Sequence, residues 1–104
     1  MKIQVNTNES VQGHDDLARQ TEEAIAGGLP RFAERITRVE AHLSDVNALK
    51  GGADDKRCVL EARPAGLRPI AVSHQADTVA NAVAGATRKL ARRIDTTLGR
   101  IGDR

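Results

Sequence analysis

The stretch from residue 77 to residue 104 constrains the fold most, because it encodes a single amphipathic helix. Its apolar residues recur at steps of three and four, the spacing that keeps one side of an α-helix facing a core. These residues are Val79, Val83, Ala86, Leu90, Ile94 and Leu98. At roughly 100° per residue, a set of basic side chains falls on one side of this apolar stripe. The set comprises Arg88, Lys89, Arg92, Arg93 and Arg100. Such one-sided positive charge predicts a polyanion partner, and RNA is the first candidate.

The rest of the chain contains four short stretches that alternate apolar and polar residues, the pattern of β-strands. The four stretches are residues 2–7, 36–44, 56–63 and 68–74. A second amphipathic pattern predicts a helix from about residue 15, kinked at residues 27–30 as it continues toward Phe32. The Gly- and Asp-rich residues 47–55 predict a loop, and Asp77 is placed to cap the last helix.

The order of these elements predicts an α+β fold with two layers, β-α-β-β-β-α, in a single domain spanning residues 1–104. The first two strands are joined by a helix and should be parallel, while the last three should form an antiparallel meander. Each helix has one apolar face, so both should pack on the same face of a four-stranded sheet. We expect the other sheet face to expose Arg38, Glu40, His42, Arg57, Glu61, Arg63 and His74.

Composition narrows how such a chain can bind RNA. Phe32 is the only aromatic residue, so the core is aliphatic and bases cannot be stacked on aromatic side chains. The net charge of +2 divides into −3 over residues 1–30, +2 over residues 31–76 and +3 over residues 77–104. We therefore expect contact through phosphate groups and RNA shape, made by the positively charged part of the chain.

The reactive residue types do not form a recognisable catalytic or metal-binding pattern. Cys58 occupies an inward position of its predicted strand, which favours a buried, inert thiol. The histidines, His14, His42 and His74, lack the short, regular spacing of a metal site. The glycine pairs do not form a phosphate-binding loop. We expect no enzyme activity, no metal or other cofactor, and no small-molecule substrate.

The chain predicts a cytoplasmic protein without membrane contact. It has one cysteine, no segment typical of a signal peptide, and no run of the roughly 20 apolar residues that a membrane span needs. We expect a monomer, although the sequence leaves the oligomeric state open.

Several local strings, in this order, resemble the ribosome hibernation-promoting factor and ribosome-associated inhibitor family, also known as sigma-54 modulation proteins. In the last helix the matching strings are Asp77-Thr78-Val79, Ala82-Val83 and Arg88-Lys89-Leu90-Ala91-Arg92-Arg93-Ile94. Upstream they are Lys2-Ile3-Gln4-Val5 and Arg35-Ile36-Thr37-Arg38-Val39. The chain departs from the family at Val79, where an aromatic residue is usual.

This resemblance implies a fold similar to that of double-stranded RNA-binding domains. It also implies binding to the small ribosomal subunit, in the channel used by messenger and transfer RNA, and inhibition of translation during stress or stationary phase. By motif position, Lys89 is the residue best matched to the family's RNA contacts, with Arg92 and Arg93 beside it. Whether the protein also pairs ribosomes, and which stress induces it, stay open.

Two alternatives compete with this interpretation. The basic flank of the last helix is also typical of a solvated surface whose arginine stems cover apolar neighbours. A stress-associated protein-interaction module could instead use the exposed sheet face or a free edge strand without binding RNA. A second RNA contact at Lys56 and Arg57, beside the predicted loop, is a further hypothesis that rests on charge alone. The role of the loop within residues 50–58 stays open.

Overall fold

The computed structural model describes residues 1–7, 14–32, 34–45 and 56–102, the side chains of residues 14, 15, 31 and 100–102 excepted. Four strands and two α-helices form in the predicted order, and a short 3-10 turn, Pro30–Phe32, follows the first helix. The elements are β1 (Lys2–Thr7), α1 (His14–Gly28), β2 (Ile36–Asp45), β3 (Lys56–Pro64), β4 (Ile70–Ala76) and α2 (Val79–Gly102). The predicted β-α-β-β-β-α fold is confirmed.

The sheet has the predicted topology, with strand order β1-β2-β3-β4. Strand β1 pairs in parallel with β2, placing Ile3 opposite Val39. Strands β2, β3 and β4 form an antiparallel meander in which Leu60 lies between Ala41 and Val72. Strands β1 and β4 therefore form the two edges of the sheet, each unpaired on one side within the described chain.

Both helices pack on one face of this sheet, as predicted. Helix α2 lies over β3 and β4, while α1 packs against β1 and α2. Alternate residues of β3 are fully buried beneath them, including Cys58, Leu60 and Ala62. The apolar stripe of α2 meets the same layer, with Leu90 and Ile94 fully buried. The core is aliphatic apart from Phe32, which is 5% exposed.

Two glycines allow close packing between elements. A Cβ atom at Gly28 would overlap Cγ2 of Thr87, so the Thr87 side chain of α2 packs directly against α1 at this glycine. A Cβ atom at Gly85 would overlap the ring of His74, so α2 lies directly against β4. Thr87 satisfies its own buried hydroxyl by donating to the carbonyl of Val83 at 2.7 Å.

The structure corrects the prediction for His74. That residue was expected on the exposed sheet face, but it shares the helix-facing side of β4 with Ile70, Val72 and Ala76. Period-two alternation from the buried Ile70 requires this orientation. Gly85 supplies the space for the ring.

Several predicted boundaries are also corrected. Helix α1 ends at Gly28 and gives way to the separate 3-10 turn, rather than continuing as a kinked helix. Strand β4 covers residues 70–76 rather than 68–74, beginning just after Pro69, which has no amide hydrogen to donate. Residues 47–55, predicted as a loop, lie outside the described residues.

The start of α2 differs from the prediction by one residue. The helix begins at Val79, so the N-cap is Thr78 and not Asp77. The hydroxyl of Thr78 accepts a hydrogen bond from the Asn81 amide at 3.0 Å. Asp77 instead accepts one from the side-chain amide of Asn81 at 2.8 Å.

Candidate nucleic-acid interface

An open groove of about 340 Å³ runs between the edge strand β4 and helix α2. Its lining consists of Val72 and Ser73 from the strand and Lys89, Arg92 and Arg93 from the helix. We call this the basic groove. It exists because α2 lies close against β4 at Gly85, so that residues one to two turns further along the helix overhang the strand edge.

Lys89 is held in place by the edge of the sheet. Its Nζ donates to the main-chain carbonyl of Ser73 at 3.0 Å. An ammonium group has three donors, so this bond leaves two for another acceptor. The contact fixes the position of one positive charge at the strand side of the groove.

Arg92 and Arg93 supply the other positive charges, and both side chains are exposed. Neither forms an ion pair with an acidic side chain among the described residues. A guanidinium group offers a planar fork of donors that matches a phosphate group. The groove therefore combines one anchored ammonium with two accessible guanidinium groups.

The other basic residues predicted to bind RNA lie elsewhere. Arg88 is exposed on α2 but does not line the groove. The side chain of Arg100 lies outside the part that the structure describes. Of the seven predicted residues, the structure therefore brings three together in the groove: Lys89, Arg92 and Arg93.

Lys56 and Arg57 point to opposite faces of the sheet. Lys56 lies on the helix side, at the start of β3, and its Nζ is 2.8 Å from Oδ1 of Asp45. Arg57 lies on the open sheet face and donates to Oε1 of Gln75 at 3.3 Å. The two side chains do not form a joint surface with each other.

Two arginines of the open sheet face are paired with glutamates. Arg38 forms an ion pair with Glu40 on the same strand, and Arg63 does so with Glu61 at 3.1 Å. His42 lies 3.7 Å from Glu40, between Nε2 and Oε2. Charges paired in this way attract a polyanion less than the unpaired cations of the basic groove.

Sequence reasoning missed Ser73, whose backbone anchors Lys89. The alternation of β4 and its position at the edge were predicted, but which backbone carbonyl a lysine of α2 reaches depends on where the helix lies across the strand. It also missed the contact between His74 and Gly85. A glycine inside a helical pattern is the available signal for such a close approach.

Cys58 is poorly suited to act as a catalytic nucleophile. Its side chain is fully buried, and desolvation raises the pKa of the thiol from 9.0 to about 12. No group of three or more metal-ligating side chains occurs among the described residues. In the same part of the chain, no helix combines the length and apolar character needed to cross a membrane.

Comparisons with known proteins show similarity in structure only. No family model matches the chain, and no curated protein matches its sequence. A ribosomal subunit interface protein from Coxiella burnetii superposes with a TM-score of 0.76 at 18% identity, over 95% of this chain and 99% of that one. The N-terminal domain of Thermus thermophilus Protein Y superposes with a TM-score of 0.73 at 15% identity, over 93% and 99%.

The chain has the fold of these two structures, and the match extends over nearly the whole of each chain. At the level of the fold, the resemblance predicted from the sequence strings is confirmed.

Proposed function

We propose that this protein binds the small ribosomal subunit through the basic groove and blocks translation by occupying the channel used by messenger and transfer RNA. It performs no chemistry and acts in the cytoplasm. The observation that carries the proposal is the convergence of Lys89, Arg92 and Arg93 on one groove, with two of the three unpaired.

The shared fold supports the ribosome as the partner, because one of the similar structures is a ribosomal subunit interface protein. The chemistry of the groove favours phosphate contacts over base recognition. It carries no aromatic side chain for stacking, and its donors are charged groups suited to phosphate oxygens. Affinity would come from positioned phosphate contacts and from the fit of a rigid surface to folded RNA.

Co-sedimentation with purified small subunits over a salt series tests this proposal. Each neutralised phosphate contributes about 0.7–0.9 to the slope of log affinity against log salt, so three contacts give a slope of about −2 to −3. The Arg92→Glu/Arg93→Glu variant should bind ~100-fold more weakly or worse, because two charge-assisted hydrogen bonds are replaced by repulsion. Its salt slope should be shallower by about 1.4 to 1.8.

An Arg35→Glu/Arg68→Glu variant is the matched control. It makes the same change in net charge at two exposed arginines that do not line the groove. Thermal unfolding should show that both variants remain folded. Equal loss of binding in the two variants would mean that overall charge, rather than the groove, drives the interaction.

Occupancy of the channel needs a separate measurement. In a reconstituted translation reaction, the wild-type protein should inhibit synthesis and compete with transfer RNA for small subunits. Binding without inhibition would place the protein outside the channel. Retention of non-ribosomal partners after nuclease treatment, with no ribosome binding, would instead favour the protein-interaction module.

A further inference from the structure

The sheet has a second groove, at the edge opposite the basic groove. It lies between β1 and α1, has a volume of about 330 Å³, and is lined by Met1, Ile3, Glu22, Glu23 and Ala26. We call it the acidic groove. Glu22 and Glu23 are exposed and form no ion pair with a basic side chain among the described residues.

The two grooves are counterparts in position and size but opposite in charge. Each lies between an unpaired edge strand and the helix above it, and their volumes are about 330 and 340 Å³. Each also combines apolar lining with its charges, from Met1, Ile3 and Ala26 in one and from Val72 in the other. The basic groove of one copy therefore complements the acidic groove of another in charge.

The topology makes their strands compatible as well. Strand β1 is parallel to β2, and two antiparallel steps lead from β2 through β3 to β4, so β1 and β4 run in the same direction. They are six and seven residues long. Setting β1 of a second copy beside β4 would extend the sheet by a parallel pair and keep all helices in one layer. The acidic flank of α1 would then face the basic flank of α2.

We propose that this protein associates head to tail with a second copy of itself, through β4 and the basic groove of one molecule and β1 and the acidic groove of the next. The interface is heterologous, so a dimer keeps one free basic groove on one copy and one free acidic groove on the other, and the assembly can grow into short open chains.

The bond between Lys89 and Ser73 weakens this association, because it must be broken before another strand can pair at that carbonyl. A lysine that covers an edge carbonyl opposes pairing with another strand. In the assembly its ammonium turns toward Glu22 and Glu23 of the neighbouring copy. The protein is therefore a monomer when dilute and assembles as its concentration rises.

Sedimentation velocity in the absence of RNA, over a concentration series at low and high salt, tests the proposal. The average mass of the wild-type protein should rise with concentration at low salt and return toward the monomer at high salt. The Arg92→Glu/Arg93→Glu and Glu22→Lys/Glu23→Lys variants should each stay monomeric, because each then carries two grooves of like charge. The Arg35→Glu/Arg68→Glu control should assemble like the wild type.

The decisive experiment is to mix the two groove variants and measure the average mass of the mixture. Each supplies the groove that complements the other, so an equimolar mixture should regain a mass above that of either variant alone. A wild type that stays monomeric at every concentration, or a mixture that stays monomeric when the wild type assembles, would overturn the proposal. Because no RNA is present, failure here leaves ribosome binding untouched, and loss of ribosome binding leaves this result untouched.

Discussion

Gly85 shows how a single missing side chain determines the form of the candidate site. Its lack of a Cβ lets the His74 ring lie between α2 and β4, with the ring atom Cγ 2.6 Å from where a Cβ would stand. The resulting close approach brings Lys89, about one turn later, within 3.0 Å of the Ser73 carbonyl. The basic groove depends on this distance between helix and strand.

We expect Gly85→Ala to destabilise the protein by about 1–3 kcal/mol, because the methyl group would overlap the His74 ring and force α2 or the ring to move. Urea unfolding followed by circular dichroism measures the change. Adding His74→Ala to the same chain should recover part of the loss. A Gly85→Ala variant as stable as the wild type would show that the ring moves at no cost.

Gly99 provides the control within the same helix. A Cβ atom at Gly99 would meet nothing within 4 Å. Gly99→Ala should therefore stabilise the protein by up to about 1 kcal/mol, the difference in helix propensity between the two residues.

At the scale of the element, α2 begins with a hydrogen-bonded cap. The Thr78 hydroxyl satisfies the amide of Asn81, one of the amides at the start of a helix that have no partner within it. Asp77 reaches only the side chain of Asn81, and that contact is exposed.

Thr78→Ala should cost about 1 kcal/mol of unfolding free energy, since it removes the cap. Asp77→Ala should cost less, because it leaves the backbone bond intact. Paired urea titrations of the two variants compare the two losses directly. A larger loss for Asp77→Ala would return the cap to the residue that the sequence first suggested.

The elements themselves could be predicted, but several of their ends could not. Periodicity identifies the stripe containing Leu90 and Ile94 because burial repeats over many residues. The choice between Asp77 and Thr78 depends on one hydrogen bond, since both are good capping residues. The alternation of β4 from the buried Ile70 requires His74 to face the helices. A polar ring in that position is expected, however, only once the space beside Gly85 is known.

At the scale of the whole molecule, stability should depend on the ionisation of Cys58. Burial raises the pKa of this thiol from 9.0 to about 12, so above pH 9 the unfolded state loses the proton while the folded state keeps it. The folded state is then penalised as the pH rises, by about 1.4 kcal/mol per pH unit between the two pKa values. The sequence contains no tyrosine to obscure this effect.

We therefore expect the unfolding free energy of the wild type to fall by about 1.4 kcal/mol more than that of Cys58→Ala between pH 8 and pH 10. Urea titrations of both proteins at the two pH values give the difference, and lysine titration cancels because both chains share it. Parallel losses in the two proteins would show that the thiol is not shielded. Slow alkylation of the native thiol would be an independent sign of its burial.

The candidate site could be predicted in part. One helix carries Lys89, Arg92 and Arg93, so their shared flank follows from helical geometry alone. Residues on other elements required the sheet order and register, which place Lys56 against Asp45 and Arg57 beside Gln75. Positive charge is easy to count in a sequence, but whether a cation is already paired depends on its neighbours in three dimensions.

The pairing of Arg38 with Glu40 and Arg63 with Glu61 has a consequence for orientation. Because these two arginines already have acidic partners, this part of the sheet competes less well for phosphate groups, which favours docking of the protein by its basic groove. A molecule bound in that way would leave most of its open sheet face in contact with solvent.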